Sequence, residues 1–158
     1  MISYTIYIVD DEDSIRDAVS MSLENSYNVE TYPNAESALR AIEKSQPDLV
    51  LLDIGLPGMD GLELLERVHQ RNPDLPVIIM TAYASEQSAI DAVNLGAFSY
   101  LQKHTKNDEI KIVVRNAVQL RQARLDGTII VLDLVQAGEG DAMCCPGDLV
   151  TRRWRLSD

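Results

Sequence analysis

The chain has 158 residues, of which 46% are hydrophobic, and its formal net charge is −11. This length and composition fit one soluble domain with a core of its own, and the sequence lacks the uninterrupted apolar run of about 18 residues that a membrane helix needs. The acidic excess argues against direct nucleic-acid binding, because surfaces that bind phosphate backbones are basic.

Strand-like and helix-like runs alternate along the first 125 residues. Apolar, β-branched runs predict strands, and apolar residues at helical spacing predict helices. In chain order the pattern predicts a strand over 4–10, a helix over 13–25, a strand over 27–32, a helix over 34–45, a strand over 48–53, a helix over 60–72, a strand over 76–81, a helix over 85–96, a strand over 97–103 and a helix over 106–125. Asp13 or Ser14 is the expected N-cap of the first helix, Asn34 caps the second, and Gly96 closes the fourth.

This fivefold strand–helix alternation predicts an α/β fold, (βα)5, in which a doubly wound parallel sheet carries helices on both faces. Strands covered on both faces are continuously apolar, as residues 49–52 and 77–80 are. In such sheets ligands bind beyond the carboxyl ends of the strands, near the point where the strand order reverses. The residues at the strand ends therefore carry the functional signal.

Polar side chains stand at the ends of four predicted strands, and they are Asp10, Asp11, Asp53, Thr81 and Lys103, with Tyr100 inside the fifth strand. Each has a simpler interpretation by itself. Asp11 alone would be a helix cap, and Asp53 would begin a turn with Gly55. Lys103 alone would be a solvated surface charge. Because all of them fall at one edge of the predicted sheet, we favour a joint site.

Clustered carboxylates repel one another unless a cation lies among them. Oxygen ligands with room for water suit Mg²⁺, and a carboxylate beside a lysine is a plausible nucleophile toward a phosphoryl group. The product would be an acyl phosphate on Asp53. A hydroxyl at Thr81 would donate a hydrogen bond to the new group, and the small side chain of Ala82 would leave space for it.

Four segments carry a family resemblance, and they are YIVDDEDSIR, LVLLDIGLPGMDGLELL, VIIMTAY and AFSYLQK. They resemble the receiver domain of bacterial two-component response regulators over about residues 3–125. The resemblance implies a flavodoxin-like five-stranded parallel sheet. It also implies a phosphorylation-dependent signalling switch that takes its phosphoryl group from a sensor histidine kinase or a phosphotransfer protein.

The resemblance also implies a role for each site residue. Asp53 resembles the phosphoacceptor, and Asp10 and Asp11 resemble the acidic pair. Asp11, Asp53 and the main-chain carbonyl of Gly55 resemble the direct Mg²⁺ ligands. The switch hydroxyl, the phosphate-binding lysine and the switch aromatic are matched by Thr81, Lys103 and Tyr100.

One position departs from the family pattern. The lysine is usually followed by proline, often through a cis bond, but here His104 follows Lys103. A cis bond before a residue other than proline costs about 2.5–4 kcal/mol. We expect Lys103 still to reach the site and His104 to be an exposed loop residue.

Several functional alternatives stay open at this level. The chain is expected not to be an enzyme beyond assisting its own phosphorylation and dephosphorylation. A small Mg²⁺-dependent phosphatase is the rival, although such enzymes often carry a second acid where this chain has Gly55. A flavodoxin is disfavoured, because the acidic DDEDS stretch is a poor place for a flavin phosphate. The chain is alternatively the truncated receiver of a transcriptional activator.

Residues 126–158 break the pattern and form a C-terminal tail with one possible strand over 128–135 and no recognisable output domain. A homodimer is possible through that strand, or through the face of the fourth helix, fifth strand and fifth helix. Cys144 and Cys145 are adjacent, so they are interpreted as reduced thiols. With no basic leader at the N-terminus, these thiols predict a cytoplasmic protein.

Overall fold

Ten elements alternate along the chain in the computed structural model, which describes residues 3–82, 85–103 and 105–125. They are β1 (Thr5–Val9), α1 (Asp13–Leu23), β2 (Asn28–Tyr32), α2 (Ala35–Lys44), β3 (Leu49–Leu52), α3 (Gly61–Arg71), β4 (Val77–Thr81), α4 (Glu86–Asn94), β5 (Ser99–Gln102) and α5 (Asn107–Leu125). The predicted order of strands and helices is confirmed. Each end lies within two residues of its predicted position.

The five strands form one parallel sheet in the order β2-β1-β3-β4-β5. This is the predicted doubly wound, flavodoxin-like arrangement, and the strand order reverses between β1 and β3. Val9 pairs with Leu52, the last residue of β3, and the amide of Asp53 donates to the Val9 carbonyl at 2.9 Å. The residues that follow β1 and β3, Asp10 and Asp53, are therefore neighbours at the switch point.

The sheet separates two apolar clusters, because alternate residues of a strand point to opposite faces. One cluster joins the central strands to α2, α3 and Ala92 of α4, and the other joins them to α1 and α5. All four residues of β3 are buried, and each aliphatic side chain contributes about 1.5–3 kcal/mol through burial. This explains the uninterrupted apolar run that ends at Asp53.

Side chains that accept hydrogen bonds from first-turn amides cap the starts of α2, α3 and α4. The predicted cap Asn34 accepts from the amide of Ser37 at 2.8 Å, and the predicted closure at Gly96 is present with a φ of 96°. The prediction that Asp13 or Ser14 caps α1 is wrong. Glu12 occupies the N-cap position, and its side chain makes no capping hydrogen bond, because its carboxylate contacts Lys103 instead.

The C-terminal part of the chain is only partly described. The chain divides into two compact units, Met1–Arg121 and Gln122–Asp158. The predicted strand over 128–135 and both cysteines lie outside the described residues, and the domain boundary at residue 125 stays a prediction. Within the described ranges, no helix is long and apolar enough to cross a membrane.

The start of α3 packs directly on the main chain that follows β3. A Cβ atom added at Gly61 would lie 2.4 Å from the Asp53 carbonyl oxygen and 2.5 Å from the Ile54 Cα. Both contacts are with backbone atoms, so a side chain could enter only if the helix or the strand end moved. Gly61 therefore lets α3 close against the residue that ends β3.

We expect Gly61→Ala to lower the free energy of unfolding by about 1–3 kcal/mol, as overpacking does. Gly55→Ala is the matched control, because its Cβ would meet the nearest side-chain atom at an ordinary 3.6 Å. Urea denaturation at equilibrium measures both variants. Equal stability of Gly61→Ala and the wild type would contradict the close approach.

Candidate functional site

Two buried carboxylates lie side by side at the carboxyl edge of the sheet. Asp10 is 2% exposed and Asp53 is 5% exposed. Asp10 Oδ1 accepts from the amide of Glu12 at 2.9 Å, and Asp53 Oδ1 accepts from the amide of Gly55 at 3.0 Å. The turn interpretation considered for Asp53 is therefore correct as local structure. It is compatible with a site, because in each case the second oxygen is left for another partner.

Lys103 is that partner for both carboxylates. Its Nζ lies 2.9 Å from Asp10 Oδ2 and 2.9 Å from Asp53 Oδ2, and its side chain is 6% exposed. A third contact, of 2.8 Å, joins Nζ to Glu12 Oε1. An ammonium group has three N–H donors, so each donor has a carboxylate within reach. The structure thus places Lys103 beside Asp10 and Asp53, and its role in binding phosphate stays a prediction.

The buried acids and the Lys103 ammonium stabilise each other's charged forms. Burial raises the pKa of the Asp10 carboxyl, although the Glu12 amide and the Lys103 ammonium act in the opposite direction. Burial by itself would lower the pKa of Lys103, but hydrogen bonds to Glu12, Asp53 and Asp10 outweigh it and raise that pKa above its usual range. Lys103 therefore stays cationic at physiological pH while it neutralises part of the acid cluster.

Asp11 and Glu12 extend the buried pair toward the surface. Carboxylate oxygens of Asp10, Asp11 and Glu12 lie within 4.8 Å of one another, and Asp11 and Glu12 are exposed. Asp53 is linked to this set through Lys103. Hard anionic oxygens beside open solvent suit a cation that keeps part of its water, as Mg²⁺ does. The donor set therefore fits the predicted magnesium site, while the ligand roles of Asp11 and of the Gly55 carbonyl stay predictions.

The remaining predicted residues lie on the neighbouring strands. Thr81 is buried at the end of β4, and its carbonyl accepts from the amide of Lys103 at 3.0 Å. Tyr100 lies in β5, half-buried, and its hydroxyl is 2.9 Å from Ser88 Oγ. Ser88 forms a reciprocal capping box with Ser85 at the start of α4. The predicted switch aromatic, Tyr100, thus contacts the N-terminal cap of α4.

Sequence reasoning missed two of these partners. Glu12 is the third acid of an acidic run and stands directly before α1. Its sequence position therefore does not mark it as a partner of Lys103. Ser88 stands three residues after Ser85, which is the spacing of a capping box, but a Glu or Gln usually occupies that position. His104 lies outside the described residues, so the expected loop position of that residue is untested.

The comparisons with known proteins agree with this geometry. Residues 6–115 match the family model of the response regulator receiver domain. The chain belongs to the response regulator receiver family. The predicted family, the flavodoxin-like fold and the role as the receiver of a two-component signalling switch are thereby confirmed.

The similar proteins include longer regulators and single receivers. This receiver is 38% identical over 146 residues to the DNA-binding transcriptional regulator NtrC of Escherichia coli K12, covering 87% of this chain and 30% of the relative. It is 33% identical to a putative NtrX-like response regulator of Rickettsia felis, covering 75% of this chain and 26% of the relative. The receiver thus spans less than a third of the length of these curated relatives.

The similar solved structures also include a single receiver and a longer protein. A CheY-like receiver domain protein of Methanospirillum hungatei superposes with a TM-score of 0.75 at 32% identity, covering 78% of this chain and 99% of that chain. NtrX of Brucella abortus, in complex with ADP, superposes with a TM-score of 0.74 at 34% identity, covering 79% of this chain and 29% of that chain.

The raised pKa of Asp10 has a consequence for stability. An acid whose pKa is raised on folding contributes stability below its unfolded-state pKa of about 3.9 and loses it as the pH rises through the folded value. We therefore expect Asp10→Asn to raise the free energy of unfolding at pH 7 in metal-free buffer, with a gain that shrinks as the pH is lowered. Urea denaturation at several pH values measures this, and an equal loss of stability at every pH would contradict it.

Proposed function

We propose that this receiver accepts a phosphoryl group on Asp53 from a sensor histidine kinase or a phosphotransfer protein, and so acts as a switch. The observation that supports the proposal most directly is the Lys103 ammonium, held 2.9 Å from carboxylate oxygens of both Asp10 and Asp53. A buried carboxylate beside a fixed cation can attack phosphorus while the cation meets the developing charge on the phosphoryl oxygens.

Each residue of the site has a part in this transfer. An oxygen of Asp53 forms the new bond to phosphorus, and the donor keeps the electrons of the bond that breaks. Lys103 exchanges its contact with Asp53 for a phosphoryl oxygen, while Asp10 and Glu12 keep the ammonium group in place. Thr81, at the end of β4, donates a hydrogen bond from its hydroxyl to a second phosphoryl oxygen. These roles are positional and electrostatic, as phosphoryl transfer requires.

Magnesium is the cofactor that fits this donor set. Asp11 and Asp53, with the main-chain carbonyl of Gly55, would hold the ion, and Asp10 would support it from the buried side. Bound there, Mg²⁺ would neutralise negative charge on the transferring group.

The switch would run from Asp53 to α4. A phosphoryl group adds about −1.5 to −2 charges and strong acceptor oxygens, which would draw the Thr81 hydroxyl toward it. Tyr100 would then turn toward the space left by Thr81 and give up its hydrogen bond to Ser88. Because Ser88 belongs to the capping box of α4, the start of that helix would change with the phosphorylation state.

We infer further that the receiver is a regulator rather than a turnover enzyme. Gly55 stands where a phosphatase of this chemistry would carry an acid–base carboxylate, which supports a stable acyl phosphate over multiple turnover. The length of the NtrC and NtrX-like relatives supports a place as the receiver part of a longer cytoplasmic regulator, in which other segments bind nucleic acid. Two exposed apolar residues of α4, Ile90 and Val93, favour homodimer contacts through the α4–β5–α5 face.

We expect Asp53→Asn to abolish labelling of the protein by a small phosphodonor such as acetyl phosphate in the presence of Mg²⁺, because the acceptor oxygen is lost. Asp74→Asn, an exposed acid in the connection between α3 and β4, is the matched control and should label like the wild type. Phosphate-affinity gels measure the labelled fraction. Equal labelling of Asp53→Asn and the wild type would contradict the assignment of the acceptor.

The wild type and Asp53→Asn also distinguish the signalling switch from the phosphatase alternative. The switch predicts at most one phosphoryl group per chain and no catalytic release of product from a phosphate ester such as para-nitrophenyl phosphate. Sustained hydrolysis that depends on Asp53 would favour the enzyme instead.

Tyr100→Phe tests the route to α4. We expect the variant to be labelled on Asp53 as the wild type is, but its α4 amides near Ser85 to exchange hydrogen about two to ten times faster in the unphosphorylated state, since one hydrogen bond to the cap is lost. Tyr32→Phe, which removes a hydroxyl bonded to Glu30 on β2, is the control. Unchanged exchange at the start of α4 would rule out this contact as the link.

A further inference from the structure

Glu36 lies in the first turn of α2 but contacts a loop 23 residues further along the chain. Its Oε1 accepts a hydrogen bond from the amide of Met59 at 2.9 Å. Met59 belongs to the β3–α3 loop, residues 54–60, which connects the acceptor Asp53 to α3. The N-cap of α2 is Asn34 rather than Glu36.

The loop is shaped to receive this carboxylate. Gly58 has a φ of 76°, a conformation that other residues rarely adopt. A Cβ atom at this position would lie 2.7 Å from Glu36 Oε1. The carboxylate therefore rests against the bare main chain of Gly58 while it binds the next amide, so α2 and the loop are in contact at two consecutive residues.

Other restraints on the loop come from the loop itself or from apolar packing. The amide of Gly55 donates to Asp53 Oδ1 at 3.0 Å, and Leu56 is 8% exposed in the cluster under α2 and α3. Among the hydrogen bonds of the described residues, the contact with Glu36 is the one that ties residues 54–59 to a different helix.

The contact is charge-assisted at neutral pH. The hydrogen bond from the Met59 amide lowers the pKa of the Glu36 carboxyl, with smaller contributions from the amide of Glu36 and from Arg40. Hydrogen bonds to an ionised acceptor are about twice as strong as neutral ones. A single side chain can therefore hold the loop although Glu36 is partly exposed.

We propose that Glu36 is a positioning residue of the phosphoacceptor site, which holds the β3–α3 loop so that the Gly55 carbonyl stays available to Mg²⁺ beside Asp53. This inference rests on the proposed function and adds a residue from a helix that contributes no ligand. Residues that orient metal ligands from outside the coordination sphere typically change metal affinity 10- to 100-fold when they are removed.

The test compares Glu36→Ala with Glu36→Gln in the full chain. Amide hydrogen exchange at Met59 is measured by NMR without metal, and the affinity for Mg²⁺ is measured by isothermal titration calorimetry. We expect Glu36→Ala to speed exchange at Met59 and to weaken Mg²⁺ binding about tenfold. Glu36→Gln keeps an acceptor oxygen but loses the charge, so both properties should lie between those of Glu36→Ala and the wild type.

Two further variants make the result specific. Glu43→Ala removes the same charge from the other end of α2, where Glu43 pairs with Arg71, and it should bind Mg²⁺ like the wild type. Gly58→Ala pushes on the carboxylate from the loop side, and it should also weaken Mg²⁺ binding. Its effect should be smaller in the Glu36→Ala background, because the two changes disrupt one contact.

Each outcome has one meaning. Loss in Glu36→Ala with partial recovery in Glu36→Gln supports the positioning role. Equal weakening by alanine and glutamine, with unchanged exchange at Met59, assigns the effect to charge alone and overturns the proposal, as does wild-type behaviour of Glu36→Ala. Failure of the wild type itself to bind Mg²⁺ would instead count against the proposed function, so the two failures are distinguishable.

Discussion

The structure depends on one ammonium group placed among carboxylates. The reversal of strand order between β1 and β3 puts Asp10 and Asp53 next to each other, where burial and like charge both work against ionisation. Lys103, delivered from the end of β5, contacts both acids and Glu12. Removing this cation would leave two buried carboxylates uncompensated, a change that is commonly destabilising by about 3–5 kcal/mol. The ammonium group that lets both acids stay ionised also lies where it could contact the oxygens of an incoming phosphoryl group.

Much of this arrangement could be predicted from the sequence, for a physical reason. Buried parallel strands must be continuously apolar, and their polar ends must gather at one edge, so Asp10, Asp53 and Lys103 were identified by position alone. The fold follows from the same alternation, since each strand–helix pair is encoded locally. The resemblance to receivers then assigned roles that position cannot supply, such as acceptor or metal ligand.

What the sequence could not reveal are contacts made across elements by ordinary surface acids. Glu12 and Glu36 are ordinary acids near the starts of α1 and α2. Their partners, Lys103 and Met59, lie 91 and 23 residues away, so no local pattern marks them. The mistaken cap of α1 has the same origin, because Glu12 satisfies a distant ammonium group instead of its own helix.

The separation of the site residues along the chain also bears on folding. Asp10 and Lys103 are 93 residues apart, and they meet only when the first and the last strand have joined the same sheet. Closing a chain segment of this length costs conformational entropy before the contact can repay it. A chain still lacking β5 would leave its acids without their cation. The ability to receive a phosphoryl group therefore requires the complete sheet. A partly folded chain would not be phosphorylated and would not take part in signalling.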